Sequence, residues 1–452
     1  MKTRPWISAT VVAIIAIVLL THLFSAKKYN APETVIAWDV ISYYSYLPAT
    51  FIDHDITLSF VPQDTANYRH YWPEFTPEGK CVIKTTMGLS LLYCPFFLAA
   101  HALAAPLGYA ANGFSPPYAC AIMLACVFWI VVGCVCLRRV LLRHYSDITT
   151  GIVLAVTVLA TNLFMYGTYE AAYSHGFSFG LICLFLILTE KWYERQTQPL
   201  SLAVGLCLGL ITLIRPSNAV VALYFALYGI TSWQTLLGRV QLFLRHWAKV
   251  LLMATATFAV WIPQIIYWGM LTGNLFYYSY GNERFFWLHP MLLKGLFGFR
   301  KGWLVYTPVM AFAMIGFVGL WKRHRWLFWP CMVFSAVNVY IVLSWWCWWY
   351  GGCFGQRALV DSYGIMALPM AAFVEWMLTR RRVVWRVLLI VLFAAVTFLS
   401  FFHHLQYLHG TIHHDSMTAA AYFDSFLSTK PSPRMGPLLD HPDYEAAKRG
   451  VR

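Results

Sequence analysis

Charge is what this chain has least of. Only 12 % of its 452 residues are charged, against about 25 % in soluble globular proteins. Acidic residues are the scarcer sign, 19 against 33 basic ones. Sixty per cent of the residues are hydrophobic and the mean hydropathy is +0.59. These proportions exclude an ordinary soluble domain. No CxxC pair and no Cys/His metal spacing occurs among the 11 cysteines. Most of them (Cys120, Cys126, Cys134, Cys136, Cys183, Cys207, Cys331) fall inside apolar runs, as small packing residues. Cys347 and Cys353 share a loop, but a disulfide framework is not expected. No clear internal repeat is present. No basic face interleaved with aromatics lies outside the apolar runs, so the net charge of +14 does not point to nucleic acid.

What the chain does have is long apolar runs. Runs near the ~20 residues that span a bilayer as helix recur throughout. They predict an all-α polytopic membrane protein with about eleven spans: 6–24, 118–137, 151–166, 175–190, 200–213, 217–230, 250–268, 303–321, 326–343, 358–378 and 387–402. The first run is longer than a signal-peptide core, so a retained helix is expected. The basic residues set the orientation. Loops on the side of Lys2 and Arg4 are short and hold 17 of the 33 Lys and Arg, including Arg138, Arg139 and Arg143 and the run Arg380, Arg381, Arg382. The positive-inside rule then puts the N-terminus in the cytoplasm and the C-terminus outside. Counting 87–106 as a further span lowers the inside total to 13 and moves the triple arginine outside. That segment is therefore expected to lie at the outer interface or to re-enter. Residues 25–117 become a long first extracytoplasmic loop, 1–402 the transmembrane domain, and 403–452 a polar extracytoplasmic tail.

Chemistry concentrates in the outer loops. Directly after the first span come Asp39, then Tyr43, Tyr44 and Tyr46, then Asp53-His54-Asp55. A carboxylate packed among Trp38 and tyrosines invites a raised pKa and general-base work, although Asp is also common in solvated turns. Asp53 and Asp55 carry hard oxygen donors suited to Mg²⁺ or Mn²⁺, in a spacing that also arises by chance. Lys84 stands just before a helix start, where an amine beside free N–H groups makes a phosphate site; the plainer reading is an interfacial lysine. Glu170 and His175 flank one short loop at membrane depth, where ionisable groups usually have partners and a purpose. Arg215 ends a helix before Pro216, and Arg300-Lys301 form a second cationic rim. Four tryptophans (Trp345, Trp346, Trp348, Trp349) precede Gly351-Gly352 and Arg357. They read as an aromatic interface belt, or as a sugar-stacking wall beside a phosphate clamp.

Four patches resemble the GT-C superfamily of polytopic glycosyltransferases, in particular its protein-mannosyltransferase-like and aminoarabinose-transferase-like families. They are Asp39-x-x-x-Tyr43-Tyr44-x-Tyr46-Leu47 with the later Asp53-His54-Asp55; Lys84-Thr85-Thr86-Met87-Gly88-x-x-Leu91-Leu92-Tyr93; Gly205-Leu206-Cys207-Leu208-Gly209-Leu210-x-x-Leu213-Ile214-Arg215-Pro216; and Trp349-Tyr350-Gly351-Gly352-Cys353-Phe354-Gly355-Gln356-Arg357. The second patch lacks the prolines of the family pattern. The resemblance implies a sugar donor on a polyprenyl phosphate, a lipid, glycan or protein acceptor, and, from the bacterial relatives, the inner or plasma membrane. It implies Asp39 as general base, with Lys84 and Arg357 on the donor phosphate and Arg215 or Arg300 assisting. Tyr43, Tyr44, Asp53, Asp55, Glu170 and His175 form a secondary polar or acceptor set. The resemblance fixes no cofactor, and a divalent metal stays open. The alternatives are an O-antigen polymerase or ligase using a diphosphate-linked glycan, a lipid or sugar transporter, and a non-catalytic scaffold.

Overall fold

The computed structural model describes residues 5–63 and 69–452, so Lys2 and Arg4 lie outside the described residues. In chain order its main helices are α1 (Ile7–Ala26), α2 (Asp39–Tyr44), α3 (Gly88–Ala104), α4 (Pro116–Leu141), α5 (Asp147–Leu159), α6 (Ser174–Glu194) and α7 (Gln198–Ile214). There follow α8 (Trp233–Arg245), α9 (Trp247–Thr272), α10 (Met310–Arg323), α11 (Arg325–Ser344), α12 (Tyr363–Leu378) and α13 (Val383–Leu408). Two-residue strands β1 (Glu74–Phe75) and β2 (Cys81–Val82) pair antiparallel, Glu74 opposite Val82.

Among the described residues, seven helices are long and apolar enough to cross a membrane: α1, α4, α6, α9, α11, α12 with its preceding turn, and α13. The other four runs expected to span are shorter or broken. At ~1.5 Å per residue, 13 to 17 residues reach ~20–25 Å, short of a ~30 Å hydrocarbon core. The run 151–166 stops as α5 at Leu159. Thr161 there turns its hydroxyl onto the Thr157 carbonyl (2.6 Å) and its own oxygen takes the Leu163 N–H (3.2 Å). The run 217–230 begins as a 3₁₀ turn, Pro216–Val221, and 303–321 is interrupted between Tyr306 and Met310, across Pro308.

The helices pack closely where side chains are absent. α4 lies on α6, and a Cβ added to Gly180 would collide with the Trp129 main chain. Helix association inside a bilayer relies on such close backbone approach, because lipid is as apolar as leucine. α9 and α13 instead present apolar faces outward, with Leu251, Phe258, Ile266, Val384, Val391 and Phe398 all exposed. That surface is matched by hydrocarbon and not by water.

The bundle has two chemically different ends. At one, Asp147 accepts the Ile7 and Ser8 N–H groups (2.9 and 3.0 Å), and Arg143 pairs with Glu190 (3.3 Å) and Glu194. The other end holds the candidate site. Both ends of α3 lie there: Gly88 abuts Leu213 and Ile214 too tightly for any Cβ, and His101 bonds the Tyr118 hydroxyl (2.6 Å). The tail folds back onto this same end. α13 runs past residue 402, and His403 Nε2 and Gln406 Nε2 reach the Tyr422 hydroxyl and the Ser425 carbonyl, both at 3.0 Å.

Candidate functional site

A cavity of about 390 Å³ opens among these helix ends and loops. Asp39, Tyr43, Lys84, His175, Arg215 and Arg357 all line it, with Tyr280, Trp345, Trp346 and Tyr350 as its aromatic wall. The backbone is strained around it. Trp38 (φ +53°), Trp72 (φ +37°) and Tyr350 (φ +57°) sit in left-handed conformations unfavourable to bulky residues. Strain of this kind persists only where the surroundings impose it, and it clusters at functional sites.

Asp39 is the first residue of α2. Its Oδ2 accepts from Arg357 Nη2 at 2.7 Å, across 318 residues of sequence. The Asp39 side chain is 48 % exposed and that of Arg357 14 %, so the pair presents its carboxylate to the cavity. Burial pushes the Asp39 carboxyl up, but Arg357, with help from Lys84, outweighs it and holds the group below its usual range. The raised pKa expected from its aromatic neighbours is therefore not what the structure has, because the decisive neighbour is a cation from a distant loop.

Lys84 is also paired, to Glu283 at 2.7 Å and Glu74 at 3.4 Å, and its amine lies 5.4 Å from the Tyr280 ring centroid. Burial lowers its pKa, yet the two carboxylates win and hold it above the ordinary lysine value. Arg215 caps α7 and lies 3.2 Å from Asp361 Oδ2. Asp361 is almost fully buried, with His175 Nδ1 at 2.8 Å on its other oxygen and Asn218 Nδ2 at 2.8 Å. Two donors at the wall, Arg357 Nε and Trp346 Nε1, are buried and bond no protein acceptor. Buried donors are normally satisfied, and Trp348 Nε1 and Trp349 Nε1 behind the wall are unpartnered as well.

Other expected residues do not line the cavity. Tyr44 is buried with its hydroxyl on the Gly113 carbonyl, and Asp53 accepts from the Tyr71 hydroxyl. Asp55 spends both oxygens on its own turn, taking Thr57 N–H and Ser59 N–H, each at 2.9 Å. Asp53 and Asp55 thus serve separate partners and do not converge as a cation site. Arg300 turns to the tail, bonding Asp440 at 2.6 Å and the Asp415 carbonyl at 2.8 Å. Trp348 and Trp349 pack behind the wall, and Cys347 and Cys353 are both free thiols. Sequence reasoning left out Asp361, Glu74, Tyr280 and Tyr444, which complete the site. Asp361 carried a usable signal, a lone carboxylate within an apolar run.

No protein-family model matches the chain, and no curated protein matches it. The site must be read from its own chemistry.

Glu170 lies beside the cavity, half-buried in the loop before α6. Burial pushes its carboxyl above the usual range, more than Lys28 and Arg357 pull it back. A raised folded pKa means stability that is fully present below ~4.3 and lost as pH rises through the folded value. Glu170→Gln should match wild type at pH 4 and be more heat-stable at pH 7. Thermal unfolding at both values checks this; a less stable variant at pH 7 would mean that the carboxylate is held by a partner charge.

Proposed function

We propose that this chain is an inverting membrane glycosyltransferase, moving a sugar from a polyprenyl phosphate to a hydroxyl acceptor at the extracytoplasmic face. One observation carries the reading: a single cavity joins a half-exposed carboxylate, Asp39, to three cations, Lys84 (shared with the lining carboxylates Glu74 and Glu283), Arg215 and Arg357, against an aromatic wall. Its size falls in the range of small-ligand sites, ~300–1,000 Å³. The resemblance of four sequence patches to GT-C enzymes supports the same residues in the same roles.

In this mechanism the acceptor hydroxyl gives its proton to Asp39 as its oxygen attacks the anomeric carbon. The bond from that carbon to the phosphate oxygen breaks, and polyprenyl phosphate leaves with the electron pair. Lys84, Arg215 and Arg357 stabilise the charge that develops on the leaving oxygen. The Arg357–Asp39 pair adds a coupling. A bound phosphate competes for the guanidinium, and each fraction of Arg357 drawn to it raises the basicity of Asp39. The base is thereby strengthened when a donor is present. An open hollow of about 880 Å³ shares Trp72 with the cavity and is flanked by Trp38, and in this reading the acceptor approaches from it.

The topology follows the same reading. Eleven crossings result if α5, α7, Pro216–Leu227 and α10 are counted with the seven long helices, and α3 is left at the outer interface. The cavity then faces outward, and the loops of Arg143 and Arg380 face the cytoplasm, as the positive-inside rule prefers.

The test uses purified protein in lipid with a panel of radiolabelled polyprenyl-phosphate sugars and envelope lipid and glycan acceptors. Release of free polyprenyl phosphate is expected from wild type and should fall sharply in Lys84→Met. Binding of a diphosphate-linked glycan without any release would favour the polymerase or ligase reading instead. No binding of any donor would favour a transporter.

A further inference from the structure

Six of the 15 histidines fall in the last 50 residues, and the mechanism uses none of them. His413 and His414, with Asp415, form the group of metal-capable side chains found among the described residues, their donor atoms all within 4.8 Å of one another. His413 Nδ1 lies 3.3 Å and His414 Nε2 3.5 Å from Asp415 Oδ1. A tetrahedral centre with bonds of ~2.0–2.1 Å places its donor atoms ~3.4 Å apart. Two of the three separations match that value, and ring rotation brings the two imidazole nitrogens, within 4.8 Å of each other, onto a shared ion. His413 Nδ1 accepts one long bond, from the Asp415 N–H at 3.4 Å, which an ion has to displace.

The surroundings are those of a braced ligand set. Ser416 Oγ donates to Asp415 Oδ1 at 2.6 Å and the Tyr444 hydroxyl to Oδ2 at 2.9 Å. His441 packs edge-on against His413, ring centres 5.7 Å apart, and its own Nδ1 meets Ser416 Oγ at 2.9 Å. Hydrogen bonds that fix a ligand's orientation are the usual companions of a metal site. Two cations are close, but neither faces the donor atoms. Lys301 binds the Cys353 and His414 carbonyls, and Arg300 binds Asp440 and the Asp415 carbonyl.

The geometry points to a zinc-type divalent metal site at His413, His414 and Asp415, with the fourth position open to solvent. Imidazole and carboxylate together suit Zn²⁺ better than the all-oxygen cations. The ion braces the 413–415 turn. The Cys353 N–H bonds the His414 carbonyl at 3.1 Å, and the His414 ring lies against Gly352, in the loop that leads to Arg357. Asp415 also holds Tyr444, which lines the cavity. Metal binding thus rigidifies the tail turn that already contacts the two segments shaping the cavity wall. This inference does not depend on the reaction proposed above.

The experiment uses full-length protein purified without a polyhistidine tag. Zn²⁺ is titrated by calorimetry, and Co²⁺ by its visible ligand-field absorption. One equivalent should saturate the site, and His413→Gln and His414→Gln should each weaken binding at least tenfold. His414 is 55 % exposed, so its variant is not expected to disturb folding. Zn²⁺ should also slow proteolysis of the tail in wild type and not in His414→Gln. Absence of saturable binding, or equal binding by wild type and both variants, would overturn the assignment. Unchanged proteolysis with Zn²⁺ bound would overturn the bracing role.

Discussion

Asp39→Asn is expected to abolish sugar transfer while leaving protein yield and donor binding near wild type. A positioned general base contributes roughly 10²–10⁴-fold, and asparagine keeps the shape of the side chain while removing its ability to take a proton. The structural cost should be small. Asp39 is half-exposed, and ion pairs in contact with solvent are worth about 0–1 kcal/mol. Loss of the pair also releases Arg357, so phosphate affinity should hold or rise. Polyprenyl phosphate release and donor binding, measured side by side, test the two halves; normal transfer by the variant would remove Asp39 as base. The pH profile gives an independent check. Arg357 holds the Asp39 carboxyl below its usual range, so the acid limb of kcat/KM should lie below about pH 4. In Arg357→Gln, burial is no longer opposed by that cation, and the limb should move up. The same sign governs stability: the pair's contribution is present above the unfolded pKa and fades as pH falls through the folded one.

Much of this site could be read before any coordinates. Asp39, Lys84, Arg215 and Arg357 stand out because charge is so rare in the chain, and because the last three sit where an apolar run begins or ends and Asp39 lies in the loop after the first one. Helix ends at one side of a bundle are neighbours whatever their sequence separation, and alternating basic loops reveal which ends share a side. What stayed hidden depends on pairing between distant segments. The acidity of Asp39 turns on a residue 318 positions away, which no local pattern reports. Lys84 reads as a free phosphate ligand until Glu74 and Glu283 are found on it. Asp53-His54-Asp55 has the spacing of a cation motif, but a turn in which Asp55 binds the N–H groups of Thr57 and Ser59 calls for the same residue type. Span counts were hard for a similar reason. Thr161 and Pro308 are too few to lower the hydropathy of a run, yet each lies where the structure breaks a helix.

Asp361→Asn should be the most destabilising conservative change in the bundle, by on the order of 3–5 kcal/mol. Asp361 is 2 % exposed and accepts at once from His175, Arg215 and Asn218. Asparagine keeps the volume and one carbonyl oxygen, but it leaves Arg215, only 15 % exposed, without its counter-charge. The penalty comes chiefly from that stranded cation, since a matched buried pair is itself worth little over apolar residues of similar size. The double variant Asp361→Asn with Arg215→Leu should therefore recover much of the lost stability. Thermal unfolding in detergent separates the cases: equal losses in the single and double variants would mean that packing, not charge, holds this corner. Function should divide differently. The double variant lacks a cation on the cavity wall, so it should fold well and still bind the anionic donor poorly, whereas a purely structural Arg215 would leave donor affinity unchanged.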